Sequence, residues 1–263
     1  MTVIVALGAY MRLEFLRSVN HSMPPDARHY ARMAVQIADK GIYGYWGETP
    51  DAYVTPGYPL FLAATYKLAS AAGVDYLALT RYIQLALSLL VIVMMYMLTF
   101  RLTNNGYWSA LTALVAAVYP PFIYANGAIL TEVLGLFFLV AYVLFQLHSF
   151  EKGAVWRALV SGILLGLTVL VRPEFAPLLA VAYFALWLWR RKSMPWKLLL
   201  ASAAGLVIVL SPWWIRNAVT LHQFIPLATQ ENPLVAGTYP NNNYEDGMVD
   251  RRGKTQMEIF KER

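Results

Sequence analysis

Asp26, Arg28, Glu132, Arg172 and Arg216 are the side chains of this sequence best suited to chemistry. A carboxylate within reach of a hydroxyl can take its proton. A guanidinium offers paired N–H donors that match a phosphate. These groups sit in a chain that is 59% hydrophobic and only 14% charged, with a mean hydropathy of +0.48. A charge at the centre of a bilayer costs roughly 2.5–3.5 kcal/mol on insertion scales. Arg81, Glu132, Arg172 and Arg216 therefore need a reason to interrupt apolar segments. The topology derived below places all four, with Asp26, at one side of the membrane.

Each residue also has a plainer reading, and at this stage both are open. Asp26 follows Pro25 and suits the N-cap of a helix. Glu132 suits a helix N-terminus, where a carboxylate meets the positive end of the dipole. Arg172 and Arg216 suit snorkelling to the interface. Arg28 and Arg32 suit solvent or lipid headgroups. His29 is a lone histidine, for which a metal role is the minority reading, and no metal site is assigned. Tyr45, Trp46, Trp213 and Trp214 suit an interfacial aromatic belt, or stacking on a sugar. Asn20-His21-Ser22 fits a short glycosylation pattern.

The elements that must position these residues follow from periodicity. Composition alone makes this an all-α integral membrane protein, since soluble domains carry nearer a quarter charged residues. Residues 1–11 are apolar but shorter than the roughly 20 a span needs, and are read as the outer part of a first transmembrane helix. Residues 18–77 form a long first extracytoplasmic loop. Within it, Tyr30, Met33, Ala34, Ile37 and Ala38 recur at helical spacing, which predicts an amphipathic surface helix over 26–40 that stops at Gly41. A loop over 41–57 precedes a second short helix from Pro59 to Ser70. Six spans follow at about 78–100, 108–121, 126–147, 157–171, 174–189 and 197–214, making about seven in a module over 1–214. Gly162 and Gly166 permit close helix packing. Residues 215–263 form a polar extracytoplasmic tail.

Arg190, Arg191, Lys192 and Lys197 crowd one loop, and Arg101, Lys152 and Arg157 fall on the same side. The positive-inside rule makes that side cytoplasmic. Many of the cations behind the net charge of +6 thus set orientation, and nucleic acid is not an expected partner. With no cysteine, disulfides and thiolate metal sites are excluded.

Taken in order, Pro24-Pro25-Asp26-Ala27-Arg28-His29-Tyr30, Thr55-Pro56-Gly57-Tyr58-Pro59-Leu60-Phe61-Leu62, Leu130-Thr131-Glu132, Arg172-Pro173-Glu174 and Ser211-Pro212-Trp213-Trp214-Ile215-Arg216-Asn217 span nearly the whole chain. This order resembles the bacterial polytopic glycosyltransferases of the GT-C superfamily, nearest to family-39 or dolichyl-phosphate-mannose-protein mannosyltransferase-like members. The resemblance implies a GT-C-like helical bundle in the bacterial inner membrane. It implies transfer of a sugar from a polyprenyl-phosphate donor to a protein, lipid or glycan acceptor on the extracytoplasmic face, usually with inversion. Asp26 matches the family's catalytic carboxylate and Glu132 its second acid. Arg172, with Arg28 or Arg216, matches the outer arginines that hold the lipid phosphate. Where aminoarabinose-transferring relatives carry an acid and a lysine, this chain has Val54-Thr55, which departs from their metal site. The cofactor is left unknown, a divalent cation being one possibility. Family members usually continue beyond residue 263, so the resemblance implies an N-terminal portion whose activity alone is in question. Two rivals stand beside it: a transporter or flippase of lipid-linked saccharides, and a non-catalytic membrane scaffold subunit. The first needs polar residues through the bundle; the second expects Asp26, Glu132 and Arg172 to lie far apart.

Overall fold

The computed structural model describes residues 1–19, 23–190 and 194–230. Every regular element among them is helical. They are α1 (Thr2–Ser18), α2 (Pro25–Lys40), α3 (Gly57–Ala72), α4 (Tyr76–Thr103), α5 (Gly106–Val118), α6 (Pro120–Gly127), α7 (Glu132–Lys152), α8 (Val155–Val171), α9 (Leu178–Arg190) and α10 (Trp196–Leu221), with one 3-10 turn at Pro173–Phe175. Met1–Ala228 form one compact unit, and Thr229–Arg263 fall in a second that lies almost wholly outside the described residues. The Asn20-His21-Ser22 pattern, the Arg191-Lys192 part of the basic loop and most of the expected polar tail also lie outside them.

Among the described residues, three helices are long and apolar enough to cross a membrane: α4, α7 and α10. α5 and α6, bent by 46° at Tyr119, qualify together as a fourth, interrupted span. The expected seven spans thus reduce to three or four by length and composition. α1 and α8 have 17 residues each, about 25 Å at 1.5 Å per residue, against a hydrocarbon core of about 30 Å. α9 is shorter still.

Two expected boundaries are corrected. The third span does not begin at 126: α6 ends at Gly127 and α7 begins at Glu132. Only Ala128, Ile129, Leu130 and Thr131 separate them, three of the four apolar. The last span does not end at 214 but continues to Leu221 with Pro212 inside it, so Arg216 and Asn217 belong to the helix. α2 and α3 fall where periodicity puts them, and Gly41 and Gly73 end them at positive φ (69° and 65°), a conformation glycine adopts without strain.

Sequential long helices alternate in direction. At one end, Arg101 on α4 pairs with Glu151 on α7 at 2.5 Å. At the other end lie the start of α4, the α6–α7 break, the end of α8 and the end of α10, roofed by α2, α3 and the loop between them. Gly57 opens α3 flush against the end of α8; a Cβ there would lie 2.6 Å from the Leu170 carbonyl. α8 is the central strut between α7 and α10. Its Gly162 faces the Ser202 carbonyl and Gly205 of α10 faces that of Leu159, each closer than any Cβ permits, which bears out the small-residue packing expected of Gly162.

Candidate functional site

The roofed end collects the ionisable groups. Glu132 is the first residue of α7. Arg172 follows α8 in an extended conformation, and its side chain lies across the first turn of α7. That path exists because residue 135 is glycine: a Cβ there would sit 2.8 Å from Arg172 Cδ. The guanidinium approaches Glu132 Oε1 at 3.6 Å through NH1 and donates to Glu174 Oε1 at 2.7 Å through Nε. The pairs are half-exposed, so they add little stability. Most of the guanidinium's N–H donors stay available to a further acceptor.

Glu132 and Arg172 stand at the mouth of a cavity of about 250 Å³. Its walls are apolar: Val91 and Ile92 of α4, Phe122 of α6, Val133, Leu136 and Leu139 of α7, and Phe175. Arg12 reaches it from α1 and is fully buried. Arg12 donates to Ser88 Oγ at 2.6 Å, to the Gly8 and Ala117 carbonyls at 3.1 and 2.8 Å, and to the Ala116 carbonyl at 3.2 Å. The cause lies in Pro120 and Pro121. They occupy the positions whose N–H groups would close the helix onto Ala116 and Ala117, and proline has none. Arg12 satisfies both orphaned carbonyls. Among the described residues it has no carboxylate partner within ion-pair distance.

Arg81, Gln84 and Ser88 lie about one turn apart on α4; Ser88 holds Arg12 at the α5–α6 bend, and the other two serve the α6–α7 break. Arg81 donates to the Gly127 carbonyl at 3.1 Å, and Gln84 to Ala128 and Asn126 at 2.9 and 3.2 Å. Tyr58 of α3 donates to Gln84 Oε1 at 2.9 Å. Arg81, a charge without an evident reason in the sequence, thus supports the end of α6.

Asp26 occupies the second position of α2, behind Pro24 as N-cap and Pro25, and makes no capping bond. The N-cap reading of Asp26 is therefore corrected. It is exposed and accepts a long hydrogen bond from the Tyr45 hydroxyl at 3.5 Å. It does not line the Glu132–Arg172 cavity. Tyr30 lies close enough to both groups to feel their charge. It packs against a core of Tyr58, Ile129, Leu134 and Val171 and meets Tyr45 edge-on. Burial pushes the Tyr30 phenol up to about 12; Asp26 and then Glu132 add to the rise, and Arg172 opposes it. One protonated hydroxyl thus feels both carboxylates. Burial and then Asp26 likewise raise Tyr45, and burial and then Glu132 raise Tyr58.

Arg28 and Arg216 are not brought to Arg172. Arg28 is exposed and donates to the Met23 carbonyl at 3.2 Å. Arg216 is engaged with the roof: it donates to the Asp51 and Tyr43 carbonyls at 2.6 and 3.0 Å, with its guanidinium 5.2 Å from the Tyr43 and Trp213 rings. Of the five candidates, the structure joins Glu132 to Arg172, while Asp26 stands apart with the Tyr45 hydroxyl. Arg12, Tyr30 and Gly135 complete the site and were not among those candidates. The signal for Arg12 was present, as a cation inside an apolar helix in a chain that also carries a Pro-Pro break. No three His, Asp or Glu side chains among the described residues group to hold a metal ion. No family model and no curated protein matches the sequence.

Proposed function

We propose that this chain is a membrane glycosyltransferase of the GT-C type, drawing a sugar from a polyprenyl-phosphate donor and working at the extracytoplasmic face of a bacterial inner membrane. The observation that carries the reading is the Glu132–Arg172 pair at the mouth of an apolar cavity inside a helical bundle. An amphiphile with an anionic head and a hydrocarbon tail fits such a site: the tail in the cavity, the phosphate on Arg172. The motif order along the chain supports the same reading.

In this mechanism Asp26 takes the proton from the acceptor hydroxyl as its oxygen attacks the anomeric carbon. The bond from that carbon to the phosphate oxygen breaks, and the polyprenyl phosphate leaves with the electron pair. Arg172 stabilises the charge that develops there. Glu132 holds Arg172 in place and positions the acceptor. Tyr30 stays protonated, its phenol pushed up to about 12 by burial and the nearby carboxylates. Arg12 fixes the α5–α6 wall of the cavity. The orphan carbonyls at the break are engaged by Arg12, which counts against a transporter that would use them for a coupling ion.

The test is sugar transfer from a labelled polyprenyl-phosphate donor in proteoliposomes containing the chain. Asp26→Asn is expected to lower turnover by about 10²–10⁴, the usual worth of a general base, with donor binding kept. Full turnover in Asp26→Asn removes Asp26 from the mechanism.

A further inference from the structure

Next to Asp26 the roof carries an aromatic cluster that the transfer mechanism does not use. His29 stacks on Tyr45 at 4.6 Å and 15°. Trp46 meets Tyr45 at 5.0 Å and Tyr53 at 5.2 Å, both edge-on. Trp46 is 39% exposed.

The loop holding these rings is tied down at every turn. The Asp51 carboxylate accepts from the Tyr45 and Tyr53 backbone N–H groups at 2.7 and 3.1 Å, which sets those rings 4.7 Å apart. Arg32 donates to the Tyr45 carbonyl at 2.6 Å and shares a contact of 2.9 Å with His29 Nδ1. Gln36 donates to the Gly47 and Ile42 carbonyls at 2.9 and 3.2 Å. Gly44 admits no side chain, because a Cβ would lie 2.3 Å from the Thr49 carbonyl oxygen. A preorganised surface loses little freedom when it binds a ligand.

Two occupants suit an exposed tryptophan beside a membrane: lipid and sugar. Lipid burial favours apolar neighbours, but Trp46 is followed by Glu48, Thr49 and Pro50, all exposed, and Glu48 pairs with Lys40. A pyranose presents C–H groups to an aromatic face and hydroxyls to the carboxylates and ring nitrogens around it. Asp26 and His29 supply those.

We propose that Trp46, with Tyr53, His29 and Asp26, forms a saccharide-binding subsite, and that the acceptor hydroxyl belongs to a sugar. The second clause rests on the transferase reading; the first does not.

The test uses the full chain in lipid nanodiscs and saturation-transfer NMR with maltotetraose, mannotetraose and chitotetraose. Ring C–H protons of at least one are expected to receive saturation. Trp46→Ala is expected to weaken that binding about tenfold, the order of one lost aromatic stack, while Trp46→Phe keeps most of it. No response from any of the three, or equal affinity in Trp46→Ala, overturns the subsite. A nitroxide on Trp46→Cys relaxed by oxygen rather than by a water-soluble nickel chelate places the residue in lipid and overturns it as well. Binding without any sugar transfer upholds the subsite and defeats the transferase reading. Transfer to a non-sugar acceptor, unaffected by Trp46→Ala, upholds the transferase and overturns the second clause, that the acceptor hydroxyl belongs to a sugar.

Discussion

Arg172 owes its position to a residue that carries no side chain. Gly135 lets it cross the first turn of α7 to Glu132, and a methyl group there would meet its Cδ at 2.8 Å. Gly135→Ala therefore separates folding from function. Alanine in place of glycine favours the helix by about 1 kcal/mol, so thermal stability should hold or rise. The arginine is pushed off Glu132, and affinity for a polyprenyl phosphate should fall about tenfold, the scale of one charge-assisted hydrogen bond. Unchanged affinity by equilibrium binding would show that Arg172 does not depend on this path. That Glu132 and Arg172 lie at one end of the bundle was legible because each is a charge at the end of an apolar run; that they pair was not. The role of Gly135 was not, because it depends on a side chain 37 positions along the chain reaching back over it.

At the scale of elements, the α5–α6 bend is the least ordinary feature. Pro120 and Pro121 leave the Ala116 and Ala117 carbonyls open, and Arg12 closes both from α1. Arg12→Leu strands these buried acceptors at about 1–3 kcal/mol each. Pro120→Ala with Pro121→Ala restores the missing N–H donors, so the same arginine substitution should then cost far less. A double-mutant cycle by thermal unfolding in detergent measures this coupling; strict additivity would deny the link. Helical periodicity revealed α2 and α3, where polar and apolar faces alternate. It did not reveal the α6–α7 break, because only four residues, 128–131, separate the two helices and Ala128, Ile129 and Leu130 are apolar. Nor did it reveal Arg12's role, since Arg12 and its carbonyl partners are more than a hundred residues apart.

For the molecule as a whole, the two ends of the bundle differ in purpose. The roofed end carries the Glu132–Arg172 pair, with Asp26 in the roof and Arg216 engaged with it. The opposite end carries Arg101, Lys152, Arg157 and Lys197 with Glu151. Under the positive-inside rule that bias supports the proposed orientation, with the roof outward. Cysteine introduced at Glu48 should react with a membrane-impermeant maleimide in intact cells, and cysteine at Lys152 only after permeabilisation. The reverse pattern would put the site in the cytoplasm and end the extracytoplasmic account.

The account depends most on where a lipid carrier lies. A polyprenyl phosphate bearing a photoreactive diazirine in its tail, cross-linked to the chain in nanodiscs and mapped by mass spectrometry, tests this directly. Cross-links should fall on Val91, Phe122, Leu136 and Leu139, and Arg172→Gln should reduce them about tenfold, the scale of a lost charge-assisted hydrogen bond. Cross-links confined to the outer faces of α9 and α10, or a yield indifferent to Arg172→Gln, would contradict it.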